Sequence, residues 1–111
     1  MKLQEVAKNL NLEPKTSKES LDREVTGGYV SDLLSDVMAH SQKGNLWITL
    51  QIHENIVAVA VLKELAGVVI INGREPEQET LKKAEKEKVC ILVSKMSAFE
   101  LAGRLYKEIV C

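Results

Sequence analysis

The chain has almost no charge of either sign to spare. Its 111 residues carry 15 Lys and Arg against 16 Asp and Glu, a net charge of −1 at pH 7. That balance gives no electrostatic reason to expect nucleic acid or an anionic membrane as a partner. Long apolar runs are missing too. The longest, residues 56–62, stops at Lys63-Glu64 and is too short to span a bilayer. The opening Met1-Lys2-Leu3-Gln4-Glu5 lacks the apolar core of a signal peptide, so a cytoplasmic location is expected.

Cysteine is scarce. Cys90 lies inside Val89-Cys90-Ile91-Leu92-Val93, and Cys111 is the final residue. A disulfide would tie a strand interior to a loose end in a reducing compartment, so two free thiols are expected. With His40 and His53 these cysteines show no ligand-pair spacing, which argues against zinc, and no metal or cofactor is expected. Phosphate-binding fingerprints are missing as well. Gly27-Gly28 is not followed by Gly-Lys-Ser/Thr, and no Gly-x-Gly-x-x-Gly occurs. No low-complexity segment or interdomain linker appears.

What is there is an ordinary globular composition, 45% hydrophobic and 28% charged, in a chain long enough for one domain with one core. Leu3, Val6, Ala7 and Leu10 follow helical spacing and predict a helix over 2–10. A short strand follows over 12–15, a loop over 16–19, and a strand over 21–25 leading to Gly27-Gly28. A helix over 31–41 places Val30, Leu33, Leu34, Val37 and Met38 on one face. Leu46-Trp47-Ile48-Thr49-Leu50 is rich in the residue types that favour strands.

Residues 56–66 mix strand and helix formers, and eleven residues exceed a typical strand, so a helix capped by Gly67 is expected. It is apolar nearly all round. It is buried either by neighbouring helices or by a second copy of the chain. Val68-Val69-Ile70-Ile71 reads as a central parallel strand, and Asn72-Gly73 as a turn. Pro76, with Glu77 and Glu79 in the first turn, opens a helix to about residue 88. A last strand covers 89–93. Ser97-Ala98-Phe99-Glu100 is a capping box that opens a final helix through Leu101, Leu105 and Ile109. This alternation predicts an α/β fold: a single domain with a mostly parallel sheet of about four to five strands flanked by helices.

Together these segments resemble a known family. Gly27-Gly28-Tyr29-Val30-Ser31-Asp32-Leu33-Leu34-Ser35-Asp36-Val37-Met38 carries the likeness first. Trp47-Ile48-Thr49, Asn55-Ile56-Val57-Ala58-Val59-Ala60 and Ile71-Asn72-Gly73-Arg74-Glu75-Pro76 follow in order. Ser97-Ala98-Phe99-Glu100-Leu101-Ala102-Gly103 closes it. The chain resembles a stand-alone DRTGG domain spanning 1–111. The naming pentapeptide is not literal here, since Glu24-Val25 separates Asp22-Arg23 from Thr26-Gly27-Gly28.

The resemblance implies a small α/β module of the kind fused to CBS domains in a class of family II pyrophosphatases, or found near the N-terminus of some phosphotransacetylases. Such domains are also similar to the N-terminal domain of the kinase/phosphorylase acting on the histidine-containing phosphocarrier protein. There they look like regulatory or dimerising units. The chain has no room for the attached kinase, phosphatase or CBS pair, so those activities are not expected of it.

Ligands of parallel sheets bind beyond the carboxyl ends of the strands. The segments expected there supply Gly27, Gly28, Thr49, His53, Asn55, Asn72 and Ser97 as candidate lining for a small anionic ligand such as a nucleotide. Turn and cap roles explain the same residue types. His53, beside Glu54 and Asn55, is the better histidine candidate. His40, near a helix end, is expected to face solvent. Asp32 and Asp36, one turn apart, could serve as a carboxylate pair or as ordinary helix-dipole compensation. No catalytic residue is expected. The first reading is a non-enzymatic ligand-sensing module acting as a homodimer. A ligand-free assembly subunit docking on a partner enzyme is the second, and an enzyme using His53 as base the third.

Overall fold

Unbroken apolar strands demand cover on both faces of the sheet, and the fold supplies it. A computed structural model describes residues 1–16 and 18–110; Ser17 and Cys111 lie outside the described residues, so the Cys111 thiol and part of the loop expected at 16–19 do too. The order of elements is α1 (Leu3–Asn9), β1 (Glu13–Pro14), a 3-10 turn (Lys18–Asp22), β2 (Gly27–Val30) and α2 (Leu34–His40). Then come β3 (Asn45–Thr49), α3 (Asn55–Leu62), β4 (Gly67–Ile70), α4 (Gln78–Glu87), β5 (Ile91–Val93) and α5 (Ala98–Val110). The strands form one five-stranded sheet in the order β1-β5-β4-β3-β2. β2 to β5 are parallel and β1 runs antiparallel to β5. The chain is α/β, with a mostly parallel sheet flanked by helices.

The crossovers β2 to β3, β3 to β4 and β4 to β5 each step one strand in the same direction. Crossovers of one hand then put all three connecting helices on the same face. Val37 of α2, the α3 residues Ile56, Val57, Val59 and Ala60, and Ala84 of α4 share one core with Trp47, Val68, Ile70 and Ile91. The alternate strand residues Leu46, Ile48, Val69 and Leu92 point the other way. They share a second core with Leu3, Val6 and Ala7 of α1, with Leu10 just after it, and with Leu101 and Leu105 of α5. α3 is therefore covered within the chain along most of its length. Its exposed apolar residues are Val61 and Leu62 at the C-terminal end. No helix among the described residues is long and apolar enough to cross a membrane.

Three local expectations are corrected. Residues 21–25 are not a sheet strand. Leu3 N–H bonds to Arg23 O at 2.8 Å and Val25 N–H to Met1 O at 2.8 Å, which turns this stretch toward the start of the chain. The strand begins at Gly27, so the glycine pair lies inside β2 and not in a strand-to-helix turn. The next helix starts at Leu34, because Ser31 Oγ accepts Leu33 N–H at 3.2 Å and Asp32 is engaged elsewhere. Gly67 does not cap α3. The helix closes at Lys63, with Glu64 left-handed at φ 53°, and Gly67 opens β4.

Gly67 is needed for close approach. A Cβ there would sit 3.0 Å from the Cys90 carbonyl oxygen and 3.3 Å from Leu3 Cδ2. Gly103, inside α5, has nothing within 4 Å of such a Cβ. The two sites should respond oppositely to alanine. Gly67→Ala should destabilise by about 1–3 kcal/mol through overpacking. Gly103→Ala should stabilise by about 0.5–1 kcal/mol through helix propensity. Urea unfolding of both variants checks the pair.

Candidate functional site

The carboxyl ends of β2 to β5 open onto four loops, and hydrogen bonds fasten each loop to the next. Asp32, after β2, accepts the Thr49 hydroxyl at 2.9 Å and Leu50 N–H at 2.7 Å with the same oxygen, Oδ1. Gln51 Nε2 donates back to Asp32 O at 2.8 Å. The indole N–H of Trp47, wholly buried, donates to Ser31 O at 2.8 Å. The loop after β3 is tied in turn to the next segment. Arg74 Nη1 donates to Leu50 O at 2.6 Å, and Thr80 Oγ1 to Ile52 O at 2.7 Å. Backbone bonds complete the belt, Asn72 N–H to Met96 O at 3.0 Å and Gly73 N–H to Ser94 O at 2.8 Å.

The loops after β4 and β5 leave toward opposite faces of the sheet, one into α4 and the other into α5. Divergence of this kind opens a crevice in doubly wound sheets. Beside it lies an open cleft of about 650 Å³. Its lining includes Asn11, Glu13, Gly73, Ser94, Lys95 and Arg104. Lys15 spans Glu13 and Glu75 at 3.3 Å each, and Arg104 meets Glu100 at 3.1 Å. Lys95 is exposed and makes no ion pair among the described residues.

The seven residues expected to line a site fall into four places. Asn72 and Ser97 flank this cleft, and both are exposed. Ser97 accepts Glu100 N–H at 3.3 Å, the expected cap of α5. Thr49 is on the rim but 1% exposed and held by Asp32. His53 and Asn55 sit together at the start of α3, where His53 Nδ1 accepts Asn55 N–H at 3.2 Å, so the ring serves as a helix cap. Gly27 and Gly28 are elsewhere, on the outer strand against α5. A Cβ on Gly28 would come within 2.8 Å of Leu105 Cδ2.

Asp32 and Asp36 are not a working pair. Asp36 accepts the Tyr29 hydroxyl at 3.0 Å on each oxygen and meets His40 Nδ1 at 3.1 Å. Hydrogen bonds from Ser31, then Tyr29, hold its carboxyl below the usual range, with His40 contributing and burial opposing. Tyr29 is pushed upward by burial first and by the Asp36 carboxylate second. His40 is exposed, as its position at a helix end predicts.

At the opposite rim, Arg23 donates to Leu65 O and Lys88 O, both at 3.1 Å, and Thr26 donates to Lys43 O at 2.8 Å. The residues nearest to the family pentapeptide are thus fasteners of the amino ends of the strands. Cys90, beneath them, is fully buried, and burial pushes its thiol up to about 12, against the pull of Arg23. Among the described residues no group of three or more His, Cys, Asp or Glu comes together to hold a metal.

No family model matches the sequence, and no curated protein matches it either. The fold does have a likeness among solved structures. It is similar to the CBS and DRTGG domains of the regulatory region of a Clostridium perfringens pyrophosphatase, solved in complex with its activator, diadenosine tetraphosphate. The TM-score is 0.68 at 16% identity, over 94% of this chain and 45% of that one. This chain therefore spans under half the length of that structure, and the likeness is one of fold.

Two outcomes follow from this geometry. Asp32→Ala leaves a buried hydroxyl and the Leu50 N–H short of an acceptor, and should destabilise by about 1–3 kcal/mol in urea unfolding. Asp36 titrates lower when folded than when unfolded. Its stabilising contribution is therefore present above the unfolded value and lost as pH falls through the folded one. Asp36→Asn should lower the melting midpoint near pH 6 more than near about pH 3. Equal loss at both pH values would contradict the assignment.

Proposed function

We propose that residues 1–111 form one DRTGG-like domain, a non-enzymatic regulatory module that senses a small anionic ligand, such as a nucleotide, and acts as a homodimer. The observation that carries the reading is the fold's likeness to a regulatory region bound to a dinucleotide activator. The ligand site in this proposal is the cleft at the end of β5, between Asn72 and Ser97. There Lys95 has no carboxylate partner among the described residues, and Arg104 stands on the facing helix. The backbone of Gly73, left-handed at φ 68° and open on its Cα side, gives a ligand room to approach. The remaining expected residues take lesser parts. Thr49 supports the rim through Asp32, and His53 and Asn55 stand at its far end.

An assembly subunit without a ligand is the competing reading, favoured by Phe99, which projects from α5 92% exposed. Thermal unfolding with millimolar adenine and guanine nucleotides, diadenosine tetraphosphate included, separates the two. A ligand at about 100 times its dissociation constant adds ~2.7 kcal/mol and should raise the midpoint by roughly ten degrees. Lys95→Ala and Arg104→Ala should shrink that shift while leaving the unliganded midpoint in place. No shift from any nucleotide would favour the assembly subunit.

A further inference from the structure

The two edges of the sheet are finished differently. The β1 edge is two residues long and carries Glu13 and Pro14, with Lys15 following. Proline offers no N–H, and charges discourage pairing, so this edge is closed to another strand. The β2 edge is Gly27-Gly28-Tyr29-Val30, with no charge and no proline. It pairs with β3 on one side and with no strand among the described residues on the other. Beside it α5 presents Ala102, Leu105, Tyr106, Ile109 and Val110. An apolar notch of about 200 Å³ lies between strand and helix. Val30 is 49% exposed, Tyr106 63% and Val110 60%. A strand edge left apolar and unguarded is a template for another strand.

The chemistry of the face selects its occupant. No charged residue lines the notch or the strand, so two copies of this face meet without like-charge repulsion. A strand also carries its own complement, because alternate N–H and C=O groups along β2 face away from β3. Gly28 and Val30 lie on the α5 face, and Tyr29 packs on the other. Residues directly opposed across antiparallel strands share a face. Placing Tyr29 opposite its own copy therefore sets Val30 opposite the partner's Gly28. The side chain that projects most from the edge then meets the residue with none, at the mouth of the notch.

We propose that two copies of this chain pair through antiparallel β2 strands about a two-fold axis at Tyr29, joining their sheets into one. The proposal rests on the homodimer reading above and specifies its contact. Sedimentation of the wild type, of Val30→Lys and of a Tyr29→Cys, Cys111→Ser double variant tests it. Opposed residues across such a pair have Cα atoms about 4.5–5.5 Å apart, within disulfide reach. Three results together support it: a wild-type dimer, a twofold drop in mass for Val30→Lys with a cooperative melting transition retained, and a denaturant-resistant disulfide dimer of the double variant on oxidation. A dimer that survives Val30→Lys and forms no cross-link overturns the β2 pairing and leaves the homodimer reading standing. A wild type that is monomeric at every concentration overturns both.

Discussion

Covering both faces of a short parallel sheet is the constraint from which the rest of this structure follows. β3, β4 and β5 carry apolar side chains on both sides, so neither face can be left to water. Three crossovers of one hand deliver α2, α3 and α4 to a single face and leave the other bare. The chain closes that second face with its two remaining helices, α1 from before the sheet and α5 from after it. Because α5 must leave β5 in the direction opposite to α4, the loops at that end of the sheet diverge. The cleft beside Lys95 and Arg104 is a by-product of that covering problem.

The rim around the cleft is held more firmly than its loop character suggests. Asp32, Arg74 and Thr80 each reach across to a neighbouring loop, and backbone bonds fasten the last pair. In the ligand-sensing proposal, a ligand arriving at such a rim would find its polar lining ordered in advance, which would lower the entropy lost on binding. The amino ends of the strands are tied in a similar way by Arg23 and Thr26. Both ends of the sheet are thus pinned by a few polar side chains, and the apolar layers need only fill space between them.

Sequence pattern is informative wherever a segment's structure is decided locally. α1, β3, α4 and α5 lie within two residues of their expected bounds, because periodicity, caps and β-branched runs set them. Residues 21–33 defeat a local reading because their partners are distant. Met1, Leu65 and Lys88 hold Arg23 and Val25, and no window of neighbouring residues contains that information. The candidate site splits in the same manner. Counting strands is enough to place Asn72 and Ser97 at the carboxyl rim. Gly27 and Gly28 inherit the error in β2. Lys95 and Arg104 escape notice, since the cleft joins segments near 9–14, 73–75 and 93–104 that look unrelated in the sequence. The one signal available for Lys95 is its place two residues after the last strand, between Ser94 and Ser97.

The stitching of the rim also bears on how freely such a sequence can diverge. Arg74, Thr80 and the last two loops all bond to main-chain oxygens, those of Leu50, Ile52, Ser94 and Met96. A carbonyl is present whatever side chain the residue carries. Those four acceptor positions can therefore change identity without loosening the belt, while the Arg74 and Thr80 side chains that reach two of them cannot. An architecture fastened in this way stores little of its specification in any one residue type. Two descendants can then keep a superimposable backbone long after their sequences have stopped resembling each other.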